Sequence, residues 1–357
     1  MPPAATSVMV LLFGLAAFLA FPACRSEAGD DFDGDETTTV DDDGADDDDD
    51  ATAHIDDAAG DDDSSGGCGG CAGDDDDSSA TDDDDDATDD DSGDDDDDSY
   101  LADEPGENMV QVPAGPFWMG CNPDNEADPL CGLPGYENEQ PFHQVELSEF
   151  WIDKTEVSFE AYDECVAAGE CQASAIGEEK GYLVSDEQPA IGVNREMART
   201  YCRWLGRRLP TEAEWEKAGR GEDGRIWPWG NVWQEDAANW ADCVSNGMPN
   251  PCVPPDGYNI TAPVDAYADF ASPYGALNLS GNVWEWVADN YDSDYYADAP
   301  SADPQGPREG ALAIVKGGAW KYDFNETWLR LSHRNAVEAS GISDHVGFRC
   351  AWHDPNG

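Results

Sequence analysis

Seventy consecutive residues, Asp30 to Ser99, cannot enter a folded core. They hold 34 Asp and one Glu, no Lys and no Arg, set mostly among Ala, Gly, Ser and Thr. That places −35 of the formal net charge of −63 in one stretch. Such a stretch has too little apolar surface to offset chain entropy, and it repels itself. The chain therefore divides into a signal and anchor at 1–24, a disordered Asp-rich linker at 25–106, and a folded part at 107–357, long enough for one sizeable core. As a coil the linker spans on the order of 50 Å, and more when its charges extend it. Its Asp runs lack the Gly turn and terminal Glu of an EF-hand loop, so a solvated spacer is the main reading. A polyanionic, cation-binding surface coat is the alternative.

The N-terminal segment reads as an export signal. Val8 to Phe21 is an unbroken apolar run, too short to span a bilayer as a helix and right for a signal-peptide core. It ends in Phe21-Pro22-Ala23-Cys24. A small residue before Cys at this place resembles a bacterial lipobox, in which Cys24 becomes the lipidated first residue. The expectation is a lipoprotein anchored to a bacterial membrane, periplasmic or at the cell surface. A cleaved, non-lipidated signal is the alternative. Cysteine usage agrees with export: of 11 cysteines, setting Cys24 aside leaves an even number, as in an oxidising compartment. Spacing suggests Cys68 with Cys71, Cys121 with Cys131, Cys165 with Cys171, and Cys243 with Cys252; Cys202 and Cys350 remain. A zinc site at Cys68 and Cys71 lacks a second pair at zinc spacing.

The folded part opens with two strand-like runs, Met109–Val112 and Phe117–Met119, in a hairpin-like start. His143–Leu147 and Phe150–Ile152 alternate like strands. Ser158 can cap a helix to about Ala168, and Asn194 a second with Met197, Tyr201, Trp204 and Leu205 on one face. Pro210-Thr211-Glu212-Ala213-Glu214 holds a capping box, Thr211 as N-cap with Glu214 three residues on. Trp215 and Ala218 give that helix an apolar side, and Gly219 closes it. After Arg220 the chain reads as mostly loop, until Leu312–Lys316 and Gly347–Trp352. The class is α+β and loop-rich, and long ordered loops call for staples.

A series of motifs runs through this part in order: Met109-Val110-Gln111-Val112-Pro113-Ala114-Gly115, Phe117-Trp118-Met119-Gly120, Glu139-Gln140-Pro141-Phe142-His143, Ile152-Asp153-Lys154-Thr155-Glu156-Val157, Tyr201-Cys202-Arg203-Trp204, the capping box, Trp227-Pro228-Trp229-Gly230-Asn231, Gly281-Asn282-Val283-Trp284-Glu285-Trp286, Lys316-Gly317-Gly318-Ala319-Trp320 and Gly347-Phe348-Arg349-Cys350. Together they resemble the formylglycine-generating enzymes, or sulfatase-modifying factors. The resemblance implies a variant of the C-type lectin fold with little regular structure. It implies a disulfide between Cys202 and Cys350. It implies two Ca²⁺ ions, one at Asn239, Trp240, Asp256 and Tyr258, the other at Asn278, Gly281, Val283 and Glu285, with Trp240, Tyr258, Gly281 and Val283 offering carbonyls.

In that family a Gly-Gly-Ser-Tyr/Trp segment is followed by two cysteines, five residues apart, that hold copper. Aligned on Gly317-Gly318, those positions are Tyr322 and Thr327. Neither offers a soft thiolate, so copper and the oxidase reaction are not expected, and no catalytic residue is assigned. His333 and His345 have no clear ligand spacing and read as structural. The expectation is a binding or accessory module, with an active oxidase acting on a sulfatase cysteine as the alternative. The groove would be formed by Trp320, Tyr322, Phe324, Trp328, Arg330, His333 and Arg334, whose aromatic faces and Arg suit a carbohydrate or a flat peptide. No nucleophilic triad or phosphate loop has local support. The residues outside the Asp-rich stretch are acidic too, so nucleic acid is not an expected partner.

Overall fold

A computed structural model describes Ala102, residues 104–176, 185–240, Pro254, 256–321 and 327–355. The segment expected to be a signal, Cys24, the Asp-rich stretch, Cys68, Cys71, Cys243, Cys252, Tyr322 and Phe324 lie outside these residues. Regular structure is sparse, as expected of a loop-rich α+β chain. β1 (Met109–Val112) pairs antiparallel with β4 (Phe150–Asp153), and β4 pairs with β9 (Ala351–Trp352). β2 (Gly115–Met119) pairs antiparallel with β3 (His143–Leu147). The hairpin-like start is thus corrected: β1 and β2 are neighbours in sequence but belong to different sheets. The run expected over Gly347–Trp352 also splits, β8 (Val346–Phe348) joining one sheet and β9 another.

The third sheet has the order β7-β6-β5-β8, with β5 at Trp284–Asn290, β6 at Leu312–Lys316 and β7 at Asn335–Glu338. β5 and β8 run parallel, and the other pairs antiparallel. Both faces of this sheet are covered. On one lie α1 (Phe159–Ala168) and α2 (Arg195–Trp204), with Tyr162, Tyr201, Trp284, Trp286, Val315 and Phe348 in one core cluster. On the other, Trp215, Phe117, Leu147, Phe150, Val287 and Ile314 form a second. Alternation along the strands sorts these side chains to opposite faces.

The local start signals act as read. Ser158 Oγ accepts from Ala161 N at 3.2 Å and Asn194 Oδ1 from Met197 N at 2.9 Å. The capping box of α3 (Glu212–Arg220) is complete: Glu214 N donates to Thr211 Oγ1 at 3.2 Å and Thr211 N to Glu214 Oε2 at 2.8 Å. Its end is not at Gly219. That residue is helical and packs on Leu331, and Gly221 closes the helix instead. Every residue of α3 is buried, charged ones included. Their charges end on partners: Lys217 Nζ donates to the carbonyls of Pro113 and Gly115 at 2.8 and 2.7 Å, and Glu216 Oε1 accepts from Gly120 N at 2.8 Å. Three disulfides close the described residues, Cys121–Cys131, Cys165–Cys171 and Cys202–Cys350. The last joins α2 to the stretch between β8 and β9.

Candidate functional site

The loop between β6 and β7 meets the loop between β2 and β3 across an open cleft of about 510 Å³. Trp328, His333, Arg334, Asn335 and Ala336 form one wall, Pro134, Gly135, Tyr136 and Asn138 face them, and Tyr291 closes one side. Asn335 and Ala336 belong to β7, an edge strand of its sheet.

Behind this wall lies a buried charge cluster. Glu139 has no exposed surface. Its carboxylate accepts from Arg330 Nη1 and Nη2 at 2.8 and 2.7 Å, from Ser332 Oγ at 2.9 Å, and stands 3.1 Å from His333 Nδ1. Burial alone would raise its pKa, but the His333 hydrogen bond and the Arg330 charge prevail and pull it down to about 2. Burial also lowers the His333 pKa, against the opposing pull of Glu139. A neutral imidazole with Nδ1–H on the carboxylate follows. Its Nε2 has no hydrogen-bond partner among the described residues, and the half-buried His333 lines the cleft. Trp328 lies parallel to the imidazole, with ring centroids 6.3 Å apart and planes within 3°.

Arg334 in the wall and Arg330 behind it are both committed inward. Arg330 also reaches Asp128 Oδ2 at 3.1 Å and the Thr327 carbonyl at 3.0 Å, and its guanidinium lies 4.9 Å from the Tyr136 ring centre. Arg334 donates to both Glu212 carboxylate oxygens at 2.8 and 3.0 Å and to the carbonyls of Asn138 and Asp292, with its guanidinium 5.3 Å from the Tyr291 ring.

Residues 98–354 match the Sulfatase-modifying factor enzyme 1-like domain. The chain belongs to the sulfatase-modifying factor family. A formylglycine-generating enzyme of Thermomonospora curvata is 32% identical over 294 residues, which is 70% of this chain and 94% of that protein. An inactive C-alpha-formylglycine-generating enzyme 2 of Bos taurus is 30% identical over 294 residues, 68% of this chain and 87% of that protein. Among solved structures, PvdO from Pseudomonas aeruginosa superposes with a TM-score of 0.55 at 26% identity, covering 68% of this chain and 93% of that one.

In this family member Trp328, His333 and Arg334 share the cleft, and Arg330 stands behind it. Trp320 lies elsewhere, buried in the α1–α2 core with Nε1 3.3 Å from the Asp344 carbonyl. Thr327 adjoins Trp328. Tyr136, Asn138 and Tyr291 complete the cleft and Glu139 stands behind it, none of them marked by a ligand-binding pattern in the sequence. The only sequence signal near them is the Glu139–His143 motif, whose cleft partners are some 190 residues on.

Around the residues expected to hold calcium, hydrogen bonds define two groups, one of Trp240, Asp256 and Tyr258, the other of Asn278, Glu156 and Val264. Asp256 accepts from Trp240 N at 2.9 Å and Tyr258 N at 3.1 Å. Asn239 Nδ2 donates to Ile260 O at 2.8 Å, while its Oδ1 is buried without a partner. Asn278, in the left-handed region at φ 57°, donates through Nδ2 to Glu156 Oε2 and Val264 O, each at 2.9 Å, and its Oδ1 is likewise buried without a partner. A buried amide oxygen left unpaired is what a hard cation takes up. Asn282 links the groups, accepting from Asn239 Nδ2 at 3.1 Å and donating to Glu156 Oε1 at 2.8 Å. Glu285 is engaged by Arg349 and by Trp215 Nε1 at 2.8 Å. Its Oε2 accepts twice, and its Oε1, with one donor, retains a lone pair for a further contact.

Proposed function

We propose that this chain is an exported, lipid-anchored sulfatase-modifying-factor domain that has given up copper–oxygen chemistry and acts as a binding or accessory module. Its ligand occupies the Tyr136–Trp328 cleft, and the Asp-rich segment spaces the domain from the membrane that holds Cys24. The observation that carries this reading is the residue pair at the two copper-binding positions. Tyr322 and Thr327 stand where the family has thiolates, and a Thr hydroxyl is not ionised at neutral pH. The cysteines among the described residues are all in disulfides, so none of them is available as a soft ligand. The Bos taurus relative named inactive shows that the scaffold persists in proteins so described.

A peptide suits the cleft better than a carbohydrate. β7 is an edge strand on the cleft wall, and an edge strand offers main-chain donors and acceptors to an extended segment. Two Ca²⁺ ions, at Asn239, Trp240, Asp256 and Tyr258 and at Asn278, Gly281, Val283 and Glu285, would supply positive charge that pins these loops.

Two assays test the reading. The full chain, incubated with a sulfatase-motif cysteine peptide, copper and oxygen, is expected to yield no aldehyde product by mass spectrometry; turnover above the no-enzyme control reinstates the oxidase. Peptide and glycan arrays are expected to give hits on peptides, and glycan hits alone would reassign the ligand to carbohydrate.

A further inference from the structure

The Glu139–His333 pair gives the cleft a hydrogen-bond acceptor of fixed direction. Glu139 is locked by Arg330 and Ser332 and in turn fixes His333 Nδ1. A carboxylate that orients an imidazole in this way leaves the other nitrogen as the basic one. The Nε2 lone pair lies in the plane of the ring, so a donor must approach edge-on and close to that plane. Trp328 is parallel to the same plane but laterally offset from the imidazole. The smaller imidazole leaves part of the indole face uncovered, and Trp328 is 41% exposed. A flat ring coplanar with His333 can therefore rest on Trp328 and point a donor at Nε2.

Charge narrows the ligand further. Four of the five Arg334 donor positions are spent inside the protein, and Arg330 is spent on Glu139, Asp128, Ser332 and Thr327. Little is left to neutralise an anion. Tyr136 and Tyr291 each already carry a guanidinium against the ring, which disfavours a second cation there. The ring that fits is neutral.

We propose that the cleft recognises a phenol, as borne by a tyrosine side chain, with its O–H donated to His333 Nε2 and its ring laid on Trp328. This rests on the cleft being the ligand site and makes His333 its specificity-determining residue. The test uses 4-methylphenol against 4-methylanisole, which keeps the ring and lacks the donor. Binding to the full chain is followed by tryptophan fluorescence. The phenol is expected to bind about tenfold more tightly, the order of one buried hydrogen bond. His333→Phe keeps a flat ring beside Trp328 and is expected to bring the two affinities within about twofold of each other. On the wild-type chain, the His333 Nε2 nitrogen resonance is expected to move with the phenol and not with the anisole, which decides the matter even if the variant does not fold. Equal affinities in the wild type, a preference that survives His333→Phe, or an unmoved resonance overturns the proposal. A tyrosine-free peptide that still binds would leave the peptide reading standing without it.

Discussion

Arg349 and Glu285 form a fork-to-fork pair with no access to water: Nε to Oε2 at 2.6 Å and Nη2 to Oε1 at 2.7 Å. The pair ties the residue after β8 to the second residue of β5. Arg349 also donates to the carbonyls of Asp153 and Leu277 at 3.0 and 2.8 Å, so one guanidinium gathers four segments. Burial works against its charge, yet Glu285 holds its pKa above the usual value.

Removing one partner of such a pair leaves the other charge buried and alone. Arg349→Met is expected to cost about 3–5 kcal/mol in urea unfolding. Adding Glu285→Gln to it should restore part of that loss, because the stranded carboxylate is gone. A double variant no more stable than Arg349→Met would deny the coupling.

Stability should peak at mildly acidic pH. Glu139 is ionised in the folded state down to about 2, against 4.5 for the free side chain. Its contribution, about 3 kcal/mol, is present above the unfolded pKa and is lost as pH falls from 4.5 toward 2. Asp289 has the opposite sign. Burial, then the nearby Glu212, raises it from 3.8 to about 7. The native state thus holds this proton longer, and the stability it gives is lost as pH rises through about 7. Asp289→Asn, which still accepts the Glu212 N–H, should flatten the alkaline limb of a denaturation-versus-pH curve and leave the acid limb alone.

Calcium should be visible as thermal stability. Excess chelator is expected to lower the melting midpoint, and Ca²⁺ at about a hundredfold its Kd to contribute about 2.7 kcal/mol per site. Asn239→Ala and Asn278→Ala should each remove part of the chelator effect. An unchanged midpoint in the wild type would rule out both ions.

Restoring the thiols should restore metal binding before chemistry. Tyr322→Cys with Thr327→Cys is expected to bind Cu(I), measured by chelator competition, and to make no aldehyde, because the groups around a metal tune it as much as its ligands do. Aldehyde formation by the double variant would mean that two substitutions alone silence the oxidase.

The Cys202–Cys350 bond closes a span of 148 residues. Replacing both with Ser should cost about 4–5 kcal/mol, the loop-closure entropy of so long a link. A loss under about 1 kcal/mol would mean that the unfolded chain is already constrained there.

What was legible in the sequence was local. Thr211 and Glu214 lie three residues apart, and their reciprocal hydrogen bonds need nothing from the rest of the chain. Ser158 and Asn194 announce their helices for the same reason. β5 was not legible, because Glu285, Asp289 and Asn290 break its apolar pattern. They are tolerated in a central strand only because distant groups meet them: Arg349 on Glu285, the Glu212 N–H on Asp289, and Arg195 on Asn290. The cleft was half legible. Trp328, His333 and Arg334 stand together in the sequence, whereas Asn138, which donates to the Arg334 carbonyl, is 196 residues away. Trp320 belongs to the same local run but turns into the core, a choice that aromatic character alone does not dictate.

The charged helix α3 has a consequence for the chain in transit. Lys217 ends on carbonyls of Pro113 and Gly115, and Arg220 on those of Trp118 and Gly120. Neither side of this joint is finished without the other, and 104 residues separate Pro113 from Lys217. In a chain emerging N-terminus first, β1 and β2 can find β4 and β3, but the carbonyls of Pro113, Gly115, Trp118 and Gly120 wait in water for their donors until Arg220 has cleared the exit. A chain stopped short of residue 211 should be prey to any protease at hand, because the clasp for its first strands has not yet arrived.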